Sequence, residues 1–111
     1  MRIISFFKKP LPESIVTGLA GTAQIQYWDD LTDEERSDLT DIEILITNPS
    51  VRMDAKLLTN FPNLKMIASL GVGFDKFDLE EMKRRGIVLT NVPSATSDDV
   101  ADFAWGLLTA L

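Results

Sequence analysis

Short apolar runs alternate with polar, helix-spaced segments along this chain, and that rhythm predicts a parallel α/β sheet. Five runs have the length and side-chain character of buried strands: residues 3–7, 23–28, 42–47, 64–70 and 87–92. The second run alternates around Ile25 and Tyr27. Between the runs lie helical patterns. Ile15, Val16, Leu19 and Ala20 recur at helical spacing behind Pro12, whose missing N–H costs little in a first turn, and Gly21 is placed to stop that helix. Residues 31–39 read as a short polar helix with a Thr32/Glu35 capping box. Asp54 opens a helix carrying Leu57, Leu58 and Phe61, closed by Pro62-Asn63. Asp78-Leu79-Glu80-Glu81 opens another, which ends on Arg84 and Arg85 with Gly86 behind them. Strands alternating with helices in this way make a flavodoxin-like, doubly wound, five-stranded parallel sheet, order 2-1-3-4-5, with helices on both faces.

The last segment breaks the pattern. Thr96-Ser97-Asp98-Asp99 carries helix-capping chemistry. Val100, Phe103, Ala104, Leu107, Leu108 and Leu111 then form one apolar face, and Ala101, Trp105 and Ala110 leave the other side apolar too. A helix apolar nearly all round wants burial on two sides. Phe103, Trp105, Leu107 and Leu108 would each contribute roughly 1.5–3 kcal/mol on burial. The expectation is a domain over residues 1–97 and a final helix over 98–111 that meets a partner chain or a further domain. A homodimer through helix 98–111 is one such arrangement. Trp105 reads as a core or interface aromatic, and Trp28 as packing.

Composition narrows the chemistry. The chain has 111 residues, 45% of them hydrophobic and 25% charged, with a formal net charge of −6. That is one soluble domain, and its sign disfavours nucleic acid as a partner. Acids gather between Asp29 and Glu43, but Leu31, Leu39 and Ile42 interrupt them, so they read as a solvated face. There is no cysteine and no histidine. Disulfides, thiolate or imidazole metal sites, the usual triads and His-based acid–base chemistry are therefore excluded from this chain. No metal ligand and no catalytic residue is assigned. No apolar run approaches the roughly 18 residues that a membrane helix needs, and residues 1–8 lack a cleavage site, so a cytoplasmic protein without a membrane partner is expected.

In an open parallel sheet, ligands sit beyond the carboxyl ends of the strands. The loops 8–12, 48–52, 71–75 and 93–97 fall at that edge. Gly71-Val72-Gly73 follows the fourth strand directly. Glycines there let the backbone turn sharply, and the Val72 and Gly73 amides could form a nest for a small carboxylate. A tight strand-to-helix turn with no ligand is the alternative. Asn48, at the end of the third strand, is either a turn former or a ligand contact. Asp75 and Asp78 read as loop and capping residues, Arg52 as a surface cation, and Met53, Met66 and Met82 as gap-fillers or surface. Lys8-Lys9-Pro10-Leu11-Pro12 cannot cradle a flavin phosphate, because its prolines lack N–H groups. A phosphorylatable receiver would need acids where Lys8, Lys9 and Asn48 stand. The dinucleotide fingerprint fails as well: the glycine pair follows the fourth strand and position 76 is lysine.

Three blocks together resemble a known family. They are Leu64-Lys65-Met66-Ile67 with Gly71-Val72-Gly73-Phe74-Asp75-Lys76-Phe77-Asp78, then Arg85-Gly86-Ile87-Val88-Leu89-Thr90-Asn91-Val92-Pro93, then Val100-Ala101-Asp102-Phe103-Ala104 leading to Leu107-Leu108. In this order and spacing they are similar to the N-terminal, substrate-binding domain of the D-isomer-specific 2-hydroxyacid dehydrogenases, including glyoxylate and hydroxypyruvate reductases. Asp102 departs from the family's usual glutamate. The resemblance implies that a small 2-keto or 2-hydroxy acid rests on the loop at Gly71, Val72 and Gly73, near Asn48. It implies that residues 96–100 line the cleft toward a cofactor domain, with Thr96 and Val100 as cofactor-binding residues and Val100 near the nicotinamide. It also implies that helix 98–111 is a crossover into that domain. The parent enzyme would use NAD or NADP, and none is expected bound to this chain alone. The family's dinucleotide fingerprint and its catalytic Arg, Glu and His follow the crossover helix and have no match here. The expectation is a truncated, inactive substrate-binding domain; the alternative is a non-catalytic flavodoxin-like domain that self-associates through its C-terminal helix.

Overall fold

The computed structural model describes residues 1–8, 10–19, 21–71, 73 and 75–91. Five strands form one sheet: β1 (Arg2–Ser5), β2 (Gln24–Tyr27), β3 (Ile44–Thr47), β4 (Met66–Ser69) and β5 (Val88–Asn91). Their order is β2-β1-β3-β4-β5 and every neighbouring pair is parallel. Among the described residues the α-helices are α1 (Glu13–Leu19), α2 (Asp33–Arg36), α3 (Ala55–Leu58) and α4 (Leu79–Arg85). The expected architecture is the observed one. Among the described residues, no helix is long and apolar enough to cross a membrane.

The central strands are buried on both faces, because helices cover both. Ile4, Leu45 and Ile67 sit in register across β1, β3 and β4 and face one layer. Leu31, Leu39, Leu58, Phe61 and Met82 from the α2, α3 and α4 side complete that core. Ile3, Ile44, Ile46 and Met66 face the opposite layer, against Leu11, Ile15 and Leu19 at α1. Met53, Met66 and Met82 are all core residues. Each acid from Asp29 to Asp41 is exposed while Leu31, Leu39 and Ile42 are buried, which makes that stretch a solvated face over a core.

The helix ends follow local chemistry. Thr32 and Glu35 form the capping box reciprocally, with Thr32 N–H donating to Glu35 Oε2 at 2.7 Å and Glu35 N–H to Thr32 Oγ1 at 3.1 Å. Asp54 caps α3 through Leu57 N–H, and Asp78 caps α4 through Glu81 N–H. Gly86 ends α4 in the left-handed region, at φ 70° and ψ 25°.

Several elements are shorter than their apolar runs, for identifiable reasons. Trp28 leaves β2 and starts a 3-10 turn (Trp28–Asp30), because its ring stacks on Phe6 at 5.1 Å and its carbonyl accepts from Arg36 Nη2 at 2.7 Å. α2 covers only four of the nine residues from 31 to 39. Leu31 and Leu39 enter the core from either side of it, and Asp38 Oδ1 takes the Thr40 hydroxyl at 2.8 Å, a side-chain bond that competes with helix. Phe61 lies beyond α3, where Asn60 Nδ2 donates to the Leu57 carbonyl at 3.1 Å.

Candidate functional site

Thr47 and Ser69, the last residues of β3 and β4, are in register. Leu70 N–H then donates to the Thr47 carbonyl at 2.8 Å. The chain therefore leaves the sheet at Asn48 and at Gly71 side by side, at the carboxyl edge where a parallel sheet presents ligand sites.

Asn48 shapes its own turn. Its Oδ1 accepts the Ser50 N–H at 2.9 Å and also the Ser50 hydroxyl, while its backbone carbonyl accepts Val51 N–H at 3.2 Å. With Oδ1 so engaged, the Nδ2 amide is the end that can donate to something else. Pro49, next in the turn, packs on the glycine loop. A methyl built on Gly71 would lie 2.5 Å from Pro49 Cδ and nearer still to Cγ, whereas one on Gly73 would meet Pro49 Cβ at 3.8 Å, an ordinary contact. Gly71 is thus glycine for close approach. Gly71 is half-buried and Gly73 exposed. Among the described residues, neither N–H donates to a protein acceptor.

Further along, the two loops are tied by backbone. Met53 N–H donates to the Lys76 carbonyl and Asp78 N–H to the Met53 carbonyl, each at 2.9 Å, forming a parallel bridge between Met53 and Phe77. Both side chains are buried, so the bridge is anchored in the core. Lys76 Nζ adds a bond to the Ser50 carbonyl at 3.1 Å. Asp78 is a cap, and Arg52 and Asp75 are exposed.

The structure thus brings Asn48, Gly71 and Gly73 to one edge; Val72, Thr96 and Val100 lie outside the described residues. Pro49, Ser50 and Lys76 shape the site; the sequence read Asn48-Pro49-Ser50 as a turn, which the structure shows, but none of the three as a site residue. Ser50 had a signal, since serine two positions after asparagine suits a side-chain-closed turn. Lys76 had none, because its partner is 26 positions away.

The donors here are neutral amides, which suit an anion and offer no acid or base. Among the described residues, no group of three or more acids, His or Cys could hold a metal. Nor do they fit a dinucleotide: Pro10 and Pro12 occupy the loop after β1, and Gly71 and Gly73 are followed by Lys76 where a third glycine would stand.

Over residues 4–110 the sequence matches the catalytic domain of the D-isomer specific 2-hydroxyacid dehydrogenases. The chain belongs to this family. A glyoxylate reductase of Thermococcus kodakarensis is 35% identical over 114 residues, covering 99% of this chain and 34% of that protein. A glyoxylate/hydroxypyruvate reductase of Arabidopsis thaliana is 39% identical over 92 residues, covering 78% of this chain and 28% of that protein. This 2-hydroxyacid dehydrogenase domain therefore spans about a third of the length of the curated relatives it matches. Among solved structures, a 2-hydroxyacid dehydrogenase from Ketogulonicigenium vulgare has a TM-score of 0.72 at 27% identity, over 98% of this chain and 35% of that one. An NADPH-dependent glyoxylate/hydroxypyruvate reductase from Sinorhizobium meliloti, solved with NADP and malonate, has a TM-score of 0.62 at 27% identity, over 96% of this chain and 33% of that one.

Proposed function

We propose that this domain binds a small 2-keto or 2-hydroxy acid, its carboxylate on the backbone amides of Val72 and Gly73 and beside the side-chain amide of Asn48. It would serve as the substrate-binding part of an NAD(P)-dependent D-2-hydroxyacid dehydrogenase of the glyoxylate reductase kind. The observation that carries this reading is the position of Gly73: exposed, past the carboxyl end of β4, and beside Pro49, the residue that follows Asn48. Charge-assisted bonds from neutral amides hold a carboxylate more strongly than neutral bonds do, and they need no titratable partner. The S. meliloti reductase, solved with the dicarboxylate malonate, supports an organic acid as the ligand class.

The reading assigns residues 98–111 to the crossover toward a cofactor-binding domain, with Thr96 and Val100 at the cleft. Hydride transfer would belong to the parent enzyme and not to these 111 residues alone, which hold no histidine to act as acid or base. The apolar character of 98–111 on both sides favours a second reading as well, in which isolated copies of this chain pair through that helix.

Titration with oxalate, followed by amide chemical shifts, tests the binding claim. Shifts confined to the Gly71, Val72 and Gly73 amides and the Asn48 side chain support it. No shift at millimolar oxalate overturns it. Light scattering decides between monomer and dimer, and acid-dependent NADH oxidation by the purified chain would refute the assignment of chemistry elsewhere.

A further inference from the structure

We propose that Lys76 is a positioning residue for the acid-binding edge, acting on Asn48 through Ser50. The inference rests on the ligand reading above. Ser50 stands between the two in a continuous chain of bonds. Its carbonyl accepts Lys76 Nζ at 3.1 Å, and its N–H and hydroxyl both donate to Asn48 Oδ1. Those two donors settle which end of the Asn48 amide faces outward, because Nδ2 is the group left to donate. Whatever holds Ser50 therefore holds the donor that would meet the acid.

Lys76 is suited to that work by its double attachment. Its backbone carbonyl is bound to Met53 and its ammonium to Ser50, so one residue grips the 48–53 segment at two points. Pro49 against Gly71 supplies a third point at the other end of the loop. Gly71 and Lys76 are thereby each fixed to the segment that carries Asn48. Removing the ammonium leaves the Met53–Phe77 bridge and the buried side chains in place, so the fold is kept. What changes is the share of molecules in which the Asn48 turn is closed. Ligand affinity falls in proportion to that share.

Lys76 is exposed, and exposed charged pairs are weak, so the expected effect is small and specific. Lys76→Met should weaken oxalate binding about threefold, the size set by a bond of that strength, with no change in melting temperature. It should also shift the two Asn48 Nδ2 proton signals of the ligand-free protein toward the positions of a free asparagine side chain. Lys76→Arg, which keeps a charged donor, should restore both. Ser50→Ala, which leaves the lysine untouched, should weaken binding in the same direction and add little to Lys76→Met. The measurements are repeated at about 0.5 M salt, where exposed charges are screened over a few ångströms. Loss of the Lys76→Met effect in salt would mean that the ammonium only attracts the anion from a distance, and the proposal fails. Unchanged Asn48 signals in Lys76→Met also sink it. If the unsubstituted protein ignores oxalate, the ligand reading falls by itself, and the Asn48 signals still decide whether Lys76 sets the turn.

Discussion

Pro49 rests its ring against the Cα of Gly71, so the turn after β3 and the turn after β4 share one boundary. A Cβ at position 71 has no room, since Pro49 Cδ would be 2.5 Å away. The proline ring is rigid and belongs to a turn closed by Asn48 and Ser50, so it cannot swing aside as a flexible side chain could.

Gly71→Ala should therefore behave as overpacking, destabilising by about 1–3 kcal/mol. It should also weaken oxalate binding, because the strain falls on the two turns that would hold the acid. The double variant Gly71→Ala with Pro49→Gly should recover much of the loss, since the clashing atoms are gone. The four melting curves form a cycle that isolates the contact. A Gly71→Ala protein as stable as the parent would show that the turns can part without cost.

Gly86 makes an instructive contrast. It too is glycine by necessity, but a Cβ there meets nothing within 4 Å. Its requirement is conformational: φ is 70°, and from that position its N–H reaches Lys83 while Ile87 N–H reaches the Met82 carbonyl at 2.8 Å. Gly86→Ala should cost about 1 kcal/mol and Gly86→Asn less, because asparagine tolerates the left-handed region. Urea unfolding of the three proteins checks the order. Equal losses for alanine and asparagine would mean that something other than backbone conformation decides.

Arg85 closes the end of α3 from a neighbouring helix. Its Nη1 donates to the Leu58 carbonyl at 2.8 Å and its Nη2 to the Phe61 carbonyl at 2.5 Å. Leu58 and Phe61 are fully buried, and each carbonyl already accepts one backbone N–H, from Phe61 and Leu64 respectively, so the guanidinium is a second donor to both. Arg85→Met should destabilise by about 0.5–1.5 kcal/mol. Lysine at the same position should not restore the loss, because a single ammonium lacks the planar fork that spans two carbonyls. Full recovery with lysine would assign the effect to charge at the end of α4 instead.

Such pairs mark where sequence reading stops. The strands, their order and the two-sided core were legible, because each depends on local periodicity and on the rule that strand–helix–strand units wind one way. Thr32, Asp54, Asp78 and Gly86 were legible as helix ends for the same reason: a cap is a bond across three or four residues. Trp28 was misjudged as the end of a strand because its stacking on Phe6 joins residues 22 positions apart in sequence. Lys76 with Ser50 and Arg85 with Phe61 are likewise distant pairs, and neither leaves a period in the sequence. At the candidate site, Asn48 and the glycine pair could be placed by topology alone. The turn at Asn48-Pro49-Ser50 could be read too, but not what it packs on, because Pro49 meets Gly71 and Lys76 meets Ser50 only once β3 and β4 lie side by side.

One capping pair also sets a pH dependence. The Glu35 carboxyl is held below the usual glutamate value of 4.5, first by the backbone N–H of Thr32 and then by its hydroxyl. A carboxyl whose pKa is lower folded than unfolded contributes stability above its unfolded value and loses it as pH falls through its folded value. The capping box should therefore be intact at neutral pH and should loosen on acidification below about 4.5, the ordinary value for the unfolded chain. Glu81 follows the same sign, held down chiefly by its hydrogen bond from Arg84. A carboxyl carbon titration should place the Glu35 midpoint below 4.5, and the Thr32 amide proton should shift with the same midpoint. Thr32→Val, which removes the hydroxyl, should raise that midpoint toward the unfolded value and loosen the first turn of α2 at every pH. If Glu35 titrates at or above 4.5 in the intact protein, the reciprocal bond with Thr32 does not hold in solution.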